Sequence, residues 1–165
     1  MAEMSACDEF LQSVHDSFPV EPVPVKFFWP QSKRAPGDDL SYELTSRLVL
    51  RRWTDVALLD WTMIGSPGVA RQFLEPAAFA YYLPSVLVGV FSDLGYREFA
   101  INAVLPFNQD RRPRDAWWFA FVASLSPAQR TAIARFPAAA REALGATLDE
   151  WTEMELSTVQ ALWPR

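Results

Sequence analysis

Between Phe73 and Pro84 the chain reads Phe-Leu-Glu-Pro-Ala-Ala-Phe-Ala-Tyr-Tyr-Leu-Pro, two prolines bracketing a stretch of alanines and aromatics. A proline lacks an N–H and holds φ near the helical value, so Pro76 suits the first turn of a helix and Pro84 forces either a kink or a restart. Phe79, Leu83, Leu87 and Val90 recur at helical spacing, and Ala80, Val86 and Phe91 widen the stripe, which predicts a helix that is apolar on one broad face. Tyr81, Tyr82 and Pro84 then belong to a bent core helix, because aromatic stripes at this spacing pack inward.

The remaining punctuation is also helical. Ser5 with Asp8 and Glu9 predicts a capped helix near 5–18, with Phe10, Leu11, Val14 and Phe18 on one face. Residues 19–25 alternate proline with valine, which excludes a helix. An extended arm is expected, pinned by Phe27, Phe28 and Trp29, and the Pro-rich arm and loop span 19–37. A polar loop at 31–37 precedes a helix capped by Asp38 or Asp39, carrying Leu40, Leu44 and Leu48 to about Arg52. A further helix starts at Thr54 and Asp55 with Val56, Leu59 and Met63 inward and Gly65 at its end. Ser66 and Pro67 open a short one to Leu74.

Residues 97–107 suit a strand or a buried helical turn and are read as helix. Trp117 to Leu125 is nearly all apolar, as in a helix buried on most sides or facing a partner. Ser126, Pro127 and Gln129 form a capping box that launches a helix to about Pro137, with a separate short helix from Ala138 to Leu144. Thr147 and Glu150 form a second box, starting a last helix through Leu162. The expected fold is all-α, a compact single-domain bundle of about 7–9 short helices spanning 1–165.

At 165 residues and half hydrophobic, with seven Trp and twelve Phe, the chain can bury a large aromatic core, which excludes disorder. A net charge of −5 argues against nucleic-acid binding, which draws on clustered Lys and Arg, and favours a basic protein partner. The patch Arg111, Arg112 and Arg114 is interrupted by Pro113 and flanked by Asp110 and Asp115, so it reads as a solvated loop. No apolar run reaches the roughly 18 residues of a membrane span, and the acidic start is unlike a signal peptide, so a cytoplasmic location is expected.

One cysteine, Cys7, excludes an intrachain disulfide, and the single His15 cannot build a triad or a histidine metal site. No Gly-rich phosphate loop is present. No cofactor is expected. The candidates that remain are the acids of the last helix, Asp149, Glu150, Glu153 and Glu155. They read either as a solvated face that complements the helix dipole, as an acidic docking surface, or as a carboxylate pair for cation binding or acid–base work. Trp117, beside the charged loop, is the candidate aromatic anchor.

Trp53 and Trp61, the motif from Phe73 to Pro84, and the later Leu125, Ser126, Pro127, Gln129, Arg130, Ala132 and Ile133 together resemble a family of small bacterial proteins of unknown function. The resemblance covers roughly residues 45–136. That family is similar in turn to small stand-alone immunity and antitoxin-like proteins. With the acidic charge, the absent catalytic set and the surplus of Trp, the resemblance leads to the expectation of a non-catalytic factor that neutralises a basic toxin; monomer and homodimer both stay open, and no catalytic residue is carried over. A carboxylate-based enzyme, with or without a metal, is the alternative.

Overall fold

The computed structural model describes residues 2–30 and 39–165. Its described residues fold into nine α-helices joined by short connections, several of them single 3-10 turns, with no strand longer than an isolated bridge. The expected polar loop at 31–37 and the Asp38 cap lie outside the described residues.

The helices follow their capping residues. α1 (Ala6–Ser17) is capped by Ser5, whose side chain accepts from the Asp8 N–H. It lies along α8 (Pro127–Leu144), burying Phe10 against Phe91 and Phe136. α8 returns the contact at the other end, where the Glu142 carboxylate accepts from the N–H groups of Ala6 and Cys7 at 2.9 and 3.2 Å. These two bonds hold the Glu142 carboxyl below the usual carboxylate range. A depressed carboxylate stabilises the fold above the unfolded-state pKa and loses that contribution as pH falls through the folded value. Urea midpoints measured from neutral pH downward should therefore decline below about pH 4, and Glu142→Gln should flatten that decline.

The arm from Pro19 is non-helical, bends at Pro22 and Val25, and is tied to the body by hydrogen bonds at two places and by the ion pairs Glu21–Arg52 and Lys26–Glu75. The Tyr81 hydroxyl donates to the Val20 carbonyl at 2.6 Å, and one antiparallel bridge joins Phe28 to Leu74, with the Trp29 N–H on the Phe73 carbonyl and the Glu75 N–H on the Phe27 carbonyl. α2 (Asp39–Leu48) stops four residues short of the expected Arg52. Leu50 takes φ +63°. The turn brings the carbonyls of Leu48 and Arg51 onto the Tyr82 hydroxyl, at 2.5 and 2.8 Å.

The expected helix from Thr54 is replaced by a 3-10 turn, Trp53–Asp55, and by α3 (Leu58–Ile64), where the Asp60 carboxylate accepts from the Ala57 N–H. This shift changes the inward face. Leu58, Trp61 and Ile64 are buried, while Leu59 and Met63 are 68% and 51% exposed. The register is set by Trp61, which is fully buried with its indole N–H on Ser85 Oγ at 2.9 Å.

α4 (Pro67–Ala70) leads through a 3-10 turn to α5 (Pro76–Gly89), the central helix, with Pro76 in its first turn. Pro84 sits inside α5 without ending it. Phe79, Tyr82, Leu83, Val86, Leu87 and Val90 are all fully buried, as the periodicity predicts. α6 (Arg97–Ala103) makes the first part of the ambiguous stretch helical, while residues 104–107 leave the helix as a turn.

α7 (Ala116–Ser124) is capped by Asp115 and packs on α5, where Trp117, Phe121 and Phe79 form one aromatic cluster. α8 begins with the expected capping box of Ser126 and Gln129 but runs through Pro137 to Leu144 as one helix. Phe136, Ala139 and Ala140 continue the same buried face across the proline, so packing outweighs one lost backbone bond. α9 (Glu150–Leu162) starts one residue after Asp149, whose carboxylate accepts from the Thr152 N–H at 2.7 Å. Thr147 lies in a preceding 3-10 turn and is not the cap.

Candidate functional site

α9 carries the acids singled out in the sequence, and the fold distributes them rather than grouping them. Asp149 is the helix cap and meets Arg97 at 2.9 Å. Its carboxyl is held below the usual range, first by the Thr152 N–H and then by the Thr152 hydroxyl and Arg97. Glu153 is gripped by Arg141 of α8 through three N–H···O contacts of 2.9–3.2 Å, which lower its pKa. Glu155 faces the opposite way and pairs with Arg111 at 3.2 Å. Glu150 is exposed at the first turn. Asp149 and Glu153 therefore point to different arginines, and among the described residues no three His, Cys, Asp or Glu side chains come together as a metal site.

Trp117 is not at the surface. It is buried in the α5–α7 cluster, with its indole N–H on the Leu74 carbonyl at 2.8 Å and one face against the Arg71 guanidinium. An amphipathic anchor needs an exposed ring, and this one is spent on the core.

The basic loop divides in the same manner. Asn108 brackets it with both side-chain atoms, accepting from the Arg112 N–H and donating to the Arg112 carbonyl. Arg111 takes φ +56°, a conformation uncommon outside glycine, and turns inward. Its guanidinium donates to the Pro106 carbonyl, Asn102 Oδ1 and Glu155. Arg112 and Arg114 stay outside, both against Asp110, as a solvated loop should.

The inward Arg111 shapes a recess along α9. On one side of it lies a cleft of about 220 Å³ between α6 and α9, lined by Glu98, Asn102, Arg111, Trp151, Thr152 and Glu155. A shallower hollow of about 340 Å³ adjoins it, sharing Arg111, Trp151 and Glu155 and bounded by Phe107, Asn108 and Gln109. A third recess, about 500 Å³ and mostly apolar, lies between α7 and the end of α9, among Trp118, Phe119, Val122, Leu162 and Trp163, with Arg130 on its wall.

Trp151, Glu155 and Leu162 are related by helical repeats of four and seven residues, so the three recesses follow one stripe of α9 over about 16 Å. The segment from Phe107 to Pro113 forms its other bank. Trp151 (59%), Phe119 (56%), Met154 (52%) and Phe107 (49%) are large apolar side chains left exposed on or beside this strip.

Glu98, Phe107, Phe119 and Trp151 escaped sequence reasoning. The legible signal was Trp151, an aromatic among the acids of the helix's first turn, four residues before Glu155. Among the described residues, no helix is long and apolar enough to cross a membrane. Comparison of the chain with protein-family models, curated proteins and solved structures finds no match.

Proposed function

We propose that the chain is a non-catalytic protein-binding factor of the immunity or antitoxin-like kind, which neutralises a basic partner by docking it along the recessed strip of α9. The observation that carries this reading is the strip itself: three recesses set along about 16 Å of one helix stripe, with exposed aromatics at both ends, on a helix whose structural acids are already neutralised. Aromatic side chains beside well-packed recesses are the usual anchors of protein interfaces. Negative charge steers the encounter, through the net −5 of the chain and through Glu98 and Glu150, which have no ion pair among the described residues.

The docking surface thus differs in composition from the acidic face read in the sequence. Reversing Glu153 or Glu155 to Lys would set a cation against Arg141 or Arg111 and disturb the fold, so charge reversal there is a poor probe. Trp151 is the better one. Mixing the purified chain with the basic proteins encoded beside its gene, followed by calorimetry, should yield one stoichiometric complex, and Trp151→Ala should weaken it about 30-fold or more, the effect of losing a hot-spot aromatic. The melting temperature should stay close to that of the parent, because the ring is mostly in solvent. Failure of every such protein to bind would overturn the reading.

A further inference from the structure

Resting on that reading, we infer that the cleft between α6 and α9 is a pocket for a cationic side chain, an arginine or lysine of the partner, laid over Trp151 and hydrogen-bonded to Glu98. The lining carries two carboxylates, Glu98 and Glu155, and one guanidinium, Arg111. Arg111 is not a free cation: Glu155 takes its charge at 3.2 Å, and the Pro106 carbonyl and Asn102 Oδ1 take further N–H groups. Arg97, the other nearby cation, is engaged by Asp149, Thr152 and the Leu94 carbonyl. Glu98 is left as the uncompensated charge of the cleft, and Glu150 adds a second next to Trp151.

An anion entering here meets Glu98, and the guanidinium that could offset it is already paired with Glu155. A cation meets a carboxylate and the largely exposed indole of Trp151, and both attract it. The planar guanidinium fits this pair better than an ammonium does, since it stacks and presents two parallel N–H groups at once. The adjoining hollow by Phe107 leaves room for the aliphatic stem of such a residue.

The probe is N-acetyl-argininamide, titrated into the 15N-labelled chain while the indole N–H resonance of Trp151, assigned through Trp151→Phe, is followed. N-acetyl-glutaminamide serves as the neutral comparison. The expected result is a saturable shift with the arginine amide, several-fold weaker binding of the lysine amide, no saturation with the glutamine amide, and about tenfold weaker arginine binding in Glu98→Gln, the loss that follows removal of a charge-assisted bond. Equal response to the glutamine amide would make the cleft a neutral polar site and overturn the inference, as would absence of any shift. The two readings fail separately. A tight complex with a basic protein that is indifferent to Glu98→Gln leaves the binding role standing and removes the cation pocket. Arginine-amide binding without any protein complex does the reverse.

Discussion

Replacing Arg71 with Met should lower the unfolding free energy by about 3–5 kcal/mol, a large part of the roughly 5–15 kcal/mol that holds a domain of this size together. Arg71 is 2% exposed and has no salt bridge among the described residues. Its guanidinium instead collects the carbonyls at the end of α6: Asn102 at 2.9 Å, Ala103 at 3.0 Å and Leu105 at 2.6 Å. These include carbonyls that the end of a helix leaves without an intrahelical partner. The indoles of Trp117 and Trp118 lie 5.4 and 5.5 Å from the guanidinium carbon.

Burial lowers the Arg71 pKa to about 9, Asp115 works against this, and Arg111 adds to it. Three carbonyls and two ring faces all favour the charged form, so the cation is retained at neutral pH. Met conserves most of the volume but leaves the three carbonyls buried without a donor. Substituting an apolar residue for a buried ion can be neutral or stabilising where both members of a pair are removed together, but here the acceptors stay behind. Arg71→Lys should lose roughly half as much, since an ammonium reaches fewer of the three acceptors and stacks less well. Urea denaturation of the three proteins checks the order. A Met variant as stable as the parent would show that the carbonyls are satisfied without Arg71.

Arg71 also marks where the sequence stops being legible. Elements whose signals are local were readable: the Ser5 cap, Pro76 in the first turn of α5, the box of Ser126 and Gln129, and the buried stripe from Phe79 to Val90. Each depends on residues within one or two turns. The failures share a different physics. α3 starts four residues after Thr54 because Trp61 must reach Ser85, twenty-four positions away. α8 survives Pro137 because α1 covers the same face on both sides of it. Asp149 displaces Thr147 as the cap of α9, where it also meets Arg97.

The site obeys the same division. That α9 is acid-rich was visible at once, but which acids are free was decided by arginines 12, 44 and 52 positions away in the chain. Trp117 and Trp151 both follow closely on acids, Asp115 in one case and Glu150 in the other. α7 packs one into the core, and the first turn of α9 leaves the other in solvent.

Truncating Tyr82 to Ala should cost on the order of 3–5 kcal/mol, the range for deleting a buried aromatic ring. The side chain is fully buried, in edge contact with Phe27 and Tyr81, and it joins the central helix to the end of α2. Tyr82→Phe separates the ring from the hydroxyl. It keeps the packing and removes the donor shared by the Leu48 and Arg51 carbonyls, so about 1–2 kcal/mol is expected. The hydroxyl carries a pH signature as well. Burial, and then Tyr81, push its pKa well above the ordinary phenol range, with Arg51 opposing. The native state therefore keeps this proton after the unfolded chain has released it near pH 10, and stability falls as pH rises beyond that point. Tyr81, also raised by burial, contributes in the same direction. Tyr82→Phe should be less stable than the parent at neutral pH yet lose stability more slowly in alkali, so the two urea-midpoint curves converge as pH rises. Parallel curves would mean that the hydroxyl ionises in the native protein as readily as in the unfolded chain, and that the bond to the end of α2 does not hold it.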